Sequence, residues 1–281
     1  MHPIGIVQGR LSPPINRCVQ SFPLKTWREE FTLAHKAGLA CIEWVYEAGT
    51  DEFNPLKTSE GIREIVQLSR TFEVGVWSIC ADYYMTERLV DREGEPHKKN
   101  FQHLEWLIRQ ASLLKAHHLV IPFVDSSSLR SIKKRSKLIL KLLKSATIAE
   151  KSGVELHLET DLPPLEFIKF LEGINHSSIR ANYDMGNSAS LGYNPREELM
   201  FLRPWLGSVH VKDRLLGGES VPLGMGATDF PTCFRFIQEM DFNGPFILQA
   251  AREERLSEVD LAIKNRKFVE DQLMMIFNGV L

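Results

Sequence analysis

The feature that most constrains this chain is a regular alternation of short β-branched apolar runs with longer segments of helical period. The runs are Ile4 to Gln8, Cys41 to Tyr46, Val74 to Cys80, His118 to Val124, Val154 to Glu159, Arg180 to Asp184, Ser208 to Lys212 and Pro245 to Gln249. They recur about every 34 residues, which accommodates a strand, a crossover helix and the turns between them. Between two runs, Ile132, Leu138, Ile139, Leu142, Leu143 and Ala146 are spaced to share one helical face, with Lys133, Lys134, Lys137, Lys141 and Lys144 largely elsewhere. Ala37-Gly38, Ser152-Gly153 and Asn243-Gly244 stand just before strands, where a helix end calls for a left-handed residue, and Pro195 suits a first helical turn. Eight such units in 281 residues predict an α/β fold, a (β/α)₈ TIM barrel, as one domain spanning residues 1–281. A doubly wound open sheet shares the alternation but wants a glycine-rich phosphate turn after its first strand. That stretch here reads Gln8-Gly9-Arg10-Leu11-Ser12-Pro13-Pro14.

Composition removes several function classes. With 43% hydrophobic and 25% charged residues the chain can bury a large core, and its net charge of −2 provides no global positive field for nucleic acid or an anionic membrane. No apolar run approaches the roughly 18 residues of a membrane span, and the N-terminus lacks a signal-type apolar core, so a cytoplasmic protein is expected. Cys18, Cys41, Cys80 and Cys233 are scattered and read as reduced, mostly buried thiols. The basic run from Arg130 to Lys144 reads as a solvated helix face.

In a parallel barrel, functional groups gather where strands end, because the loops that follow build one face. The last four strands end in Glu159, Asp184, His210 and Gln249, each about one strand–helix unit from the next, so they converge on that face. Two carboxylates, an imidazole and an amide oxygen suit one hard or borderline divalent ion, Mn²⁺, Mg²⁺, Co²⁺ or Zn²⁺, with positions left for substrate oxygens.

Ile4-Gly-Ile-Val-Gln-Gly-Arg-Leu11, Leu39-Ala-Cys-Ile-Glu-Trp44, His157-Leu-Glu-Thr-Asp161, Asn182-Tyr-Asp-Met-Gly-Asn187, Val209-His-Val-Lys-Asp213 and Val221-Pro-Leu-Gly-Met-Gly226 occur in an order that resembles the sugar phosphate isomerase/epimerase family of xylose-isomerase-like TIM barrels. The resemblance covers nearly the whole chain. It implies a divalent metal held by a Glu, an Asp, a His and a second Glu, with the two glutamates shuttling a proton beside a carbonyl. By position these are Glu159, Asp184, His210 and Gln249. The chain departs from that pattern at Gln249, whose amide can ligate but cannot act as a base, and at Asn187, where ketose epimerases often carry a histidine. Glu159 is then the one well-placed base.

Other polar residues carry two readings each. Lys212, Asp213 and Arg214 either bind substrate hydroxyls or phosphate, or form a surface ion-pair cluster. Arg252 either closes over an anion or lies on the surface; Glu43 either binds substrate or is paired inside a polar barrel core. Gly224 and Gly226 offer backbone amides to a phosphate or simply make a turn. His157, on the face of Glu159 by alternation, is expected to make an interior hydrogen bond. Trp77, Tyr83 and Tyr84 read as core or as a wall against a sugar.

The leading functional expectation is a metal-dependent isomerase or epimerase of a small-molecule sugar or sugar phosphate, with self-association into a homo-oligomer left open. The same metal and single base also suit a dehydratase or lyase of a keto-polyol, and Gln249 also suits a barrel that has lost catalysis and binds a sugar-like ligand. A nuclease of the related endonuclease IV type would need more His and carboxylate ligands and a basic face.

Overall fold

The computed structural model describes residues 2–14, 20–133 and 135–277. Eight parallel strands close into a barrel: β1 (Ile4–Val7), β2 (Cys41–Val45), β3 (Gly75–Cys80), β4 (His118–Phe123), β5 (Glu155–Thr160), β6 (Ile179–Asp184), β7 (Leu206–Val211) and β8 (Phe246–Leu248). They lie in the circular order β1-β8-β7-β6-β5-β4-β3-β2, with every neighbouring pair parallel and β1 closing on β8. The barrel predicted from the alternation is therefore the observed fold. An outer layer of helices, from Glu29–Lys36 after β1 to Glu258–Phe277 after β8, covers the strands. The outer strand faces are covered by helices and need apolar residues, which supplies the apolar rows seen in the sequence. One hydrophobic core joins the outer strand faces to the helices and includes Ile42, Trp44, Ile79, Leu119, Leu156, Ile179, Val209 and Leu248. Among the described residues no helix is long and apolar enough to cross a membrane.

Helix ends follow the sequence signals in most places. Gly38 and Gly153 take positive φ, and Pro195 opens Pro195–Leu202 behind an Asn194 cap. Gly244 departs from expectation: Asp241 adopts the left-handed conformation instead, and a Cβ on Gly244 would lie 2.6 Å from the Phe242 ring, so this glycine makes room for an aromatic. Ile132 precedes the helix Ser136–Lys151, whose buried residues include Leu138, Leu142 and Ala146. Lys133 and Lys137 pair with Glu93 and Glu95 on the surface, in keeping with a solvated basic face. Cys41, Cys80 and Cys233 are buried free thiols; Cys18 and Lys134 lie outside the described residues.

The barrel interior is unusually polar. Glu43, Ser78, His118, His157, Asn182, Ser208 and His210 are all buried. Period-two alternation gives β5, β6 and β7 two inward polar positions each, a lower one (His157, Asn182, Ser208) and an upper one (Glu159, Asp184, His210). The lower layer is joined sideways: His157 Nδ1 lies 2.8 Å from Ser208 Oγ, which donates to Asn182 Oδ1 at 2.6 Å. His157 thus makes the interior hydrogen bond expected of it, and its ring stacks on His118 with centroids 3.7 Å apart. Burial pushes both rings well below the usual histidine pKa, which keeps this layer uncharged.

Candidate metal centre and its cleft

The upper layer converges. One ligand atom each from Glu159, Asp184 and His210 falls within 4.8 Å of the others, all three residues being buried. Among the described residues this is the one such cluster of His, Cys, Asp and Glu, short of the larger set a multi-metal nuclease would use. The Asp184 carboxylate is divided between two tasks. Its Oδ1 accepts the Asn187 N–H at 2.8 Å and so caps the short helix Met185–Ser190, whereas its buried Oδ2 accepts no hydrogen bond. Oδ2 lies 3.9 Å from His210 Nδ1 and 3.5 Å from Lys212 Nζ.

His210 is oriented from below. Its Nε2 lies 2.8 Å from Glu43 Oε1, and Ser78 Oγ donates to Glu43 Oε2 at 2.7 Å. Nδ1 is thereby aimed at the cluster, 3.8 Å from Glu159 Oε2. Asn182 Nδ2 lies 3.3 Å from the same nitrogen, and a carboxylate behind an imidazole in this way fixes tautomer and ring orientation at metal sites. An orphaned, desolvated carboxylate oxygen beside a second carboxylate and an oriented imidazole fits a divalent ion.

The crowding shifts the titration of these groups. Burial, with Asp184 alongside, raises the Glu159 pKa to about 7. Burial alone would lower that of His210, but Glu43, Glu159 and Asp184 outweigh it and raise it to about 9. Burial also opposes ionisation of Glu43, yet the His210 contact holds its pKa below the ordinary value. Asn187 Nδ2 donates to Glu159 Oε1 at 2.7 Å and Asn182 Nδ2 to Oε2 at 3.3 Å, so the carboxylate is held at both oxygens.

Above the cluster opens a cleft of about 550 Å³ lined by Glu159, Lys212, Arg214, Gln249, Arg10 and Asp82 among others. Lys212 Nζ donates to Gln249 Oε1 at 3.2 Å, and Gln249 Nε2 donates to Gln20 Oε1 at 2.9 Å. Arg214 reaches Asn187 Oδ1 at 2.9 Å and the Gly218 carbonyl at 2.7 Å from a two-stranded ribbon, Asp213–Arg214 with Ser220–Val221, that edges the mouth. Asp213 turns away, its carboxylate accepting the N–H groups of Gly224, Gly226 and Thr228. The Gly-x-Gly amides are therefore spent on a turn.

Two expectations need correction. Glu43 sits in the middle of β2, fully buried beneath His210, so it touches the imidazole and not a substrate in the cleft. Arg252 is also not on the cleft wall: it binds the Gly9 and Ser12 carbonyls and Glu258, tying the chain after β8 to the loop after β1. The arginines on the wall are Arg214 and Arg10, the latter donating to the Ala250 carbonyl at 2.6 Å. Trp77 stacks on His117, and Tyr83 and Tyr84 pack around His103, leaving none of the three on the wall. Sequence reading confined to the last four strand ends passes over Arg10, Gln20 and Asp82. Arg10 and Asp82 lie just past β1 and β3, where the same rule finds them.

A family model described as "Xylose isomerase-like TIM barrel" matches residues 31–272. The chain belongs to that family. It is 23% identical to the L-ribulose-5-phosphate 3-epimerase UlaE of Escherichia coli over 282 residues, covering 96% of this chain and 95% of the relative. Among solved structures, an L-ribulose 3-epimerase superposes with a TM-score of 0.76 at 16% identity, covering 100% of this chain and 97% of the other. A xylose isomerase-like TIM barrel protein from Mycobacterium smegmatis in complex with magnesium gives a TM-score of 0.70 at 16% identity, covering 97% and 96%.

Proposed function

We propose that this member of the family is a divalent-metal-dependent isomerase or epimerase of a sugar or sugar phosphate, with Glu159 as the proton-transfer base. The observation that carries the reading is the Asp184 oxygen left without a donor inside a buried Glu–Asp–His cluster whose imidazole is aimed by Glu43. Glu159, Asp184 and His210 would hold the ion, with the Gln249 carbonyl oxygen as the remaining protein donor. The bound ion would polarise a substrate carbonyl and so acidify the adjacent C–H. Glu159, held at both oxygens beside that ion, is the carboxylate proposed to accept the proton. The two asparagines keep its oxygens in place.

Lys212 and Arg214 are proposed to bind substrate oxygens, joined by Arg10. Three cations around one mouth favour a phosphorylated substrate, and the names of the relatives include both phosphorylated and free ketoses. The test is elemental analysis of the purified protein, followed by a panel of ketoses and ketose phosphates in D₂O with Mn²⁺, Mg²⁺, Co²⁺ or Zn²⁺ added. The reading expects metal-dependent deuterium incorporation beside the carbonyl of at least one substrate. A protein that exchanges none of them, with or without metal, is not such an enzyme.

A further inference from the structure

The cleft contains a carboxylate that this reading does not use. Asp82 stands two residues past the end of β3, on the same wall as Arg10 and Gln20. Both of its donors in the structure are neutral: Gln20 Nε2 at 2.7 Å to Oδ2, and Cys80 Sγ at 3.2 Å to Oδ1. Gln20 also accepts from Gln249, so a chain of amides runs from Gln249, the residue after β8, across to Asp82. In the circular strand order Glu159, Asp184 and His210 occupy the consecutive strands β5, β6 and β7. Gln249, Gln20 and Asp82 belong to the remaining arc, from β8 through the loop after β1 to the end of β3.

Stereochemistry makes this placement matter. To invert a carbon, a proton must leave one face and another must arrive on the opposite face. Glu159 serves one face, and Gln249 has no acidic proton to give. Resting on the isomerase/epimerase reading above, we infer that Asp82 is the second acid–base residue, delivering a proton to the substrate face opposite Glu159. The C–H bond beside the carbonyl breaks, its proton going to the Glu159 carboxylate and its electron pair into an enediolate. The enediolate carbon then takes the proton of the Asp82 carboxylic acid on the other face. Asp82 is left as carboxylate and Glu159 as acid, and exchange with solvent resets both. Burial raises the pKa of Asp82, which favours its holding a proton to give, and Gln20 positions it.

The experiment follows each epimer separately in D₂O by NMR, using the ketose or ketose phosphate that wild-type protein turns over, with metal added. Asp82→Asn is isosteric and is expected to reduce inversion by about 10²-fold or more in both directions. Deuterium exchange into recovered substrate survives from the epimer whose proton faces Glu159 and is lost from the other. Glu159→Gln gives the mirror pattern, and Asp82→Glu, which keeps the acid, retains inversion both ways. Inversion by Asp82→Asn at the wild-type rate, or equal loss of exchange from both epimers with inversion also lost in Asp82→Glu, overturns the inference alone. Wild-type protein that exchanges no ketose overturns the function reading and the inference with it.

Discussion

At the residue scale, the central fact is that two carboxylates and an imidazole share a buried space too small for their charges. Removing the base should be decisive: Glu159→Gln keeps the shape but not the proton affinity, and a loss of about 10² to 10⁴-fold in turnover is expected. Steady-state kinetics checks it, with metal content measured alongside. The raised pKa values also set how an ion binds. Below about 7 Glu159 holds a proton, and below about 9 so does His210, and an incoming cation must displace both. Metal affinity should therefore climb as pH rises through about 7, continue to climb toward about 9, and flatten above it. Titration calorimetry in buffers of different ionisation enthalpy would register the released protons; affinity independent of pH across that window contradicts the arrangement. Glu159, Asp184 and His210 were legible because strand ends one unit apart must meet at the mouth of a barrel. Glu43 kept two readings, core pair or substrate contact, because alternation reports which face a residue is on, not how deep it lies; the structure places it in the core. Arg252 was misread because four residues past a strand no period constrains direction.

At the element scale, the strands were legible to within two residues because each must present an apolar row to the helices that cover the outside of the closed sheet. Short elements outside the barrel left no periodic trace. The helix Met185–Ser190 and the ribbon Asp213–Arg214 with Ser220–Val221 are of this kind, and both shape the cleft. The helix can lie against the chain after β7 because its second residue is glycine: a Cβ on Gly186 would be 2.8 Å from Lys212 Cγ and 2.9 Å from the Lys212 backbone carbonyl carbon. Gly186→Ala must push these segments apart, with an overpacking cost of about 1–3 kcal/mol. Lys212 would then shift from Asp184 and Gln249, so the variant should lose about tenfold or more in kcat/KM while denaturant unfolding shows a destabilisation in that range. Unchanged kinetics would mean that Lys212 is not held in register by this contact.

At the scale of the whole molecule, the barrel carries a stored electrostatic cost at its mouth. Glu159 and Asp184 are brought together by the adjacent strands β5 and β6, and without an ion their repulsion is offset by His210 and Lys212 and by the donors on their oxygens. An ion that binds only the folded chain should therefore stabilise the entire barrel, by about 2.7 kcal/mol at a concentration a hundredfold above its Kd. For a chain of this size that corresponds to a rise in Tm of roughly 5 °C, measurable by scanning calorimetry and reversed by chelation. Asp184→Asn separates this effect from general stability. Asparagine remains a competent helix cap, so the contact with the Asn187 N–H can persist while the orphaned negative oxygen disappears. The variant is expected to melt at or above the Tm of the metal-free wild type and to show no rise on adding metal. A variant that still gains the full shift would place the ion elsewhere. One that melts far below the metal-free protein would make Asp184 a structural residue first, because a residue retained for binding at the expense of stability should leave the empty barrel no worse when it is neutralised.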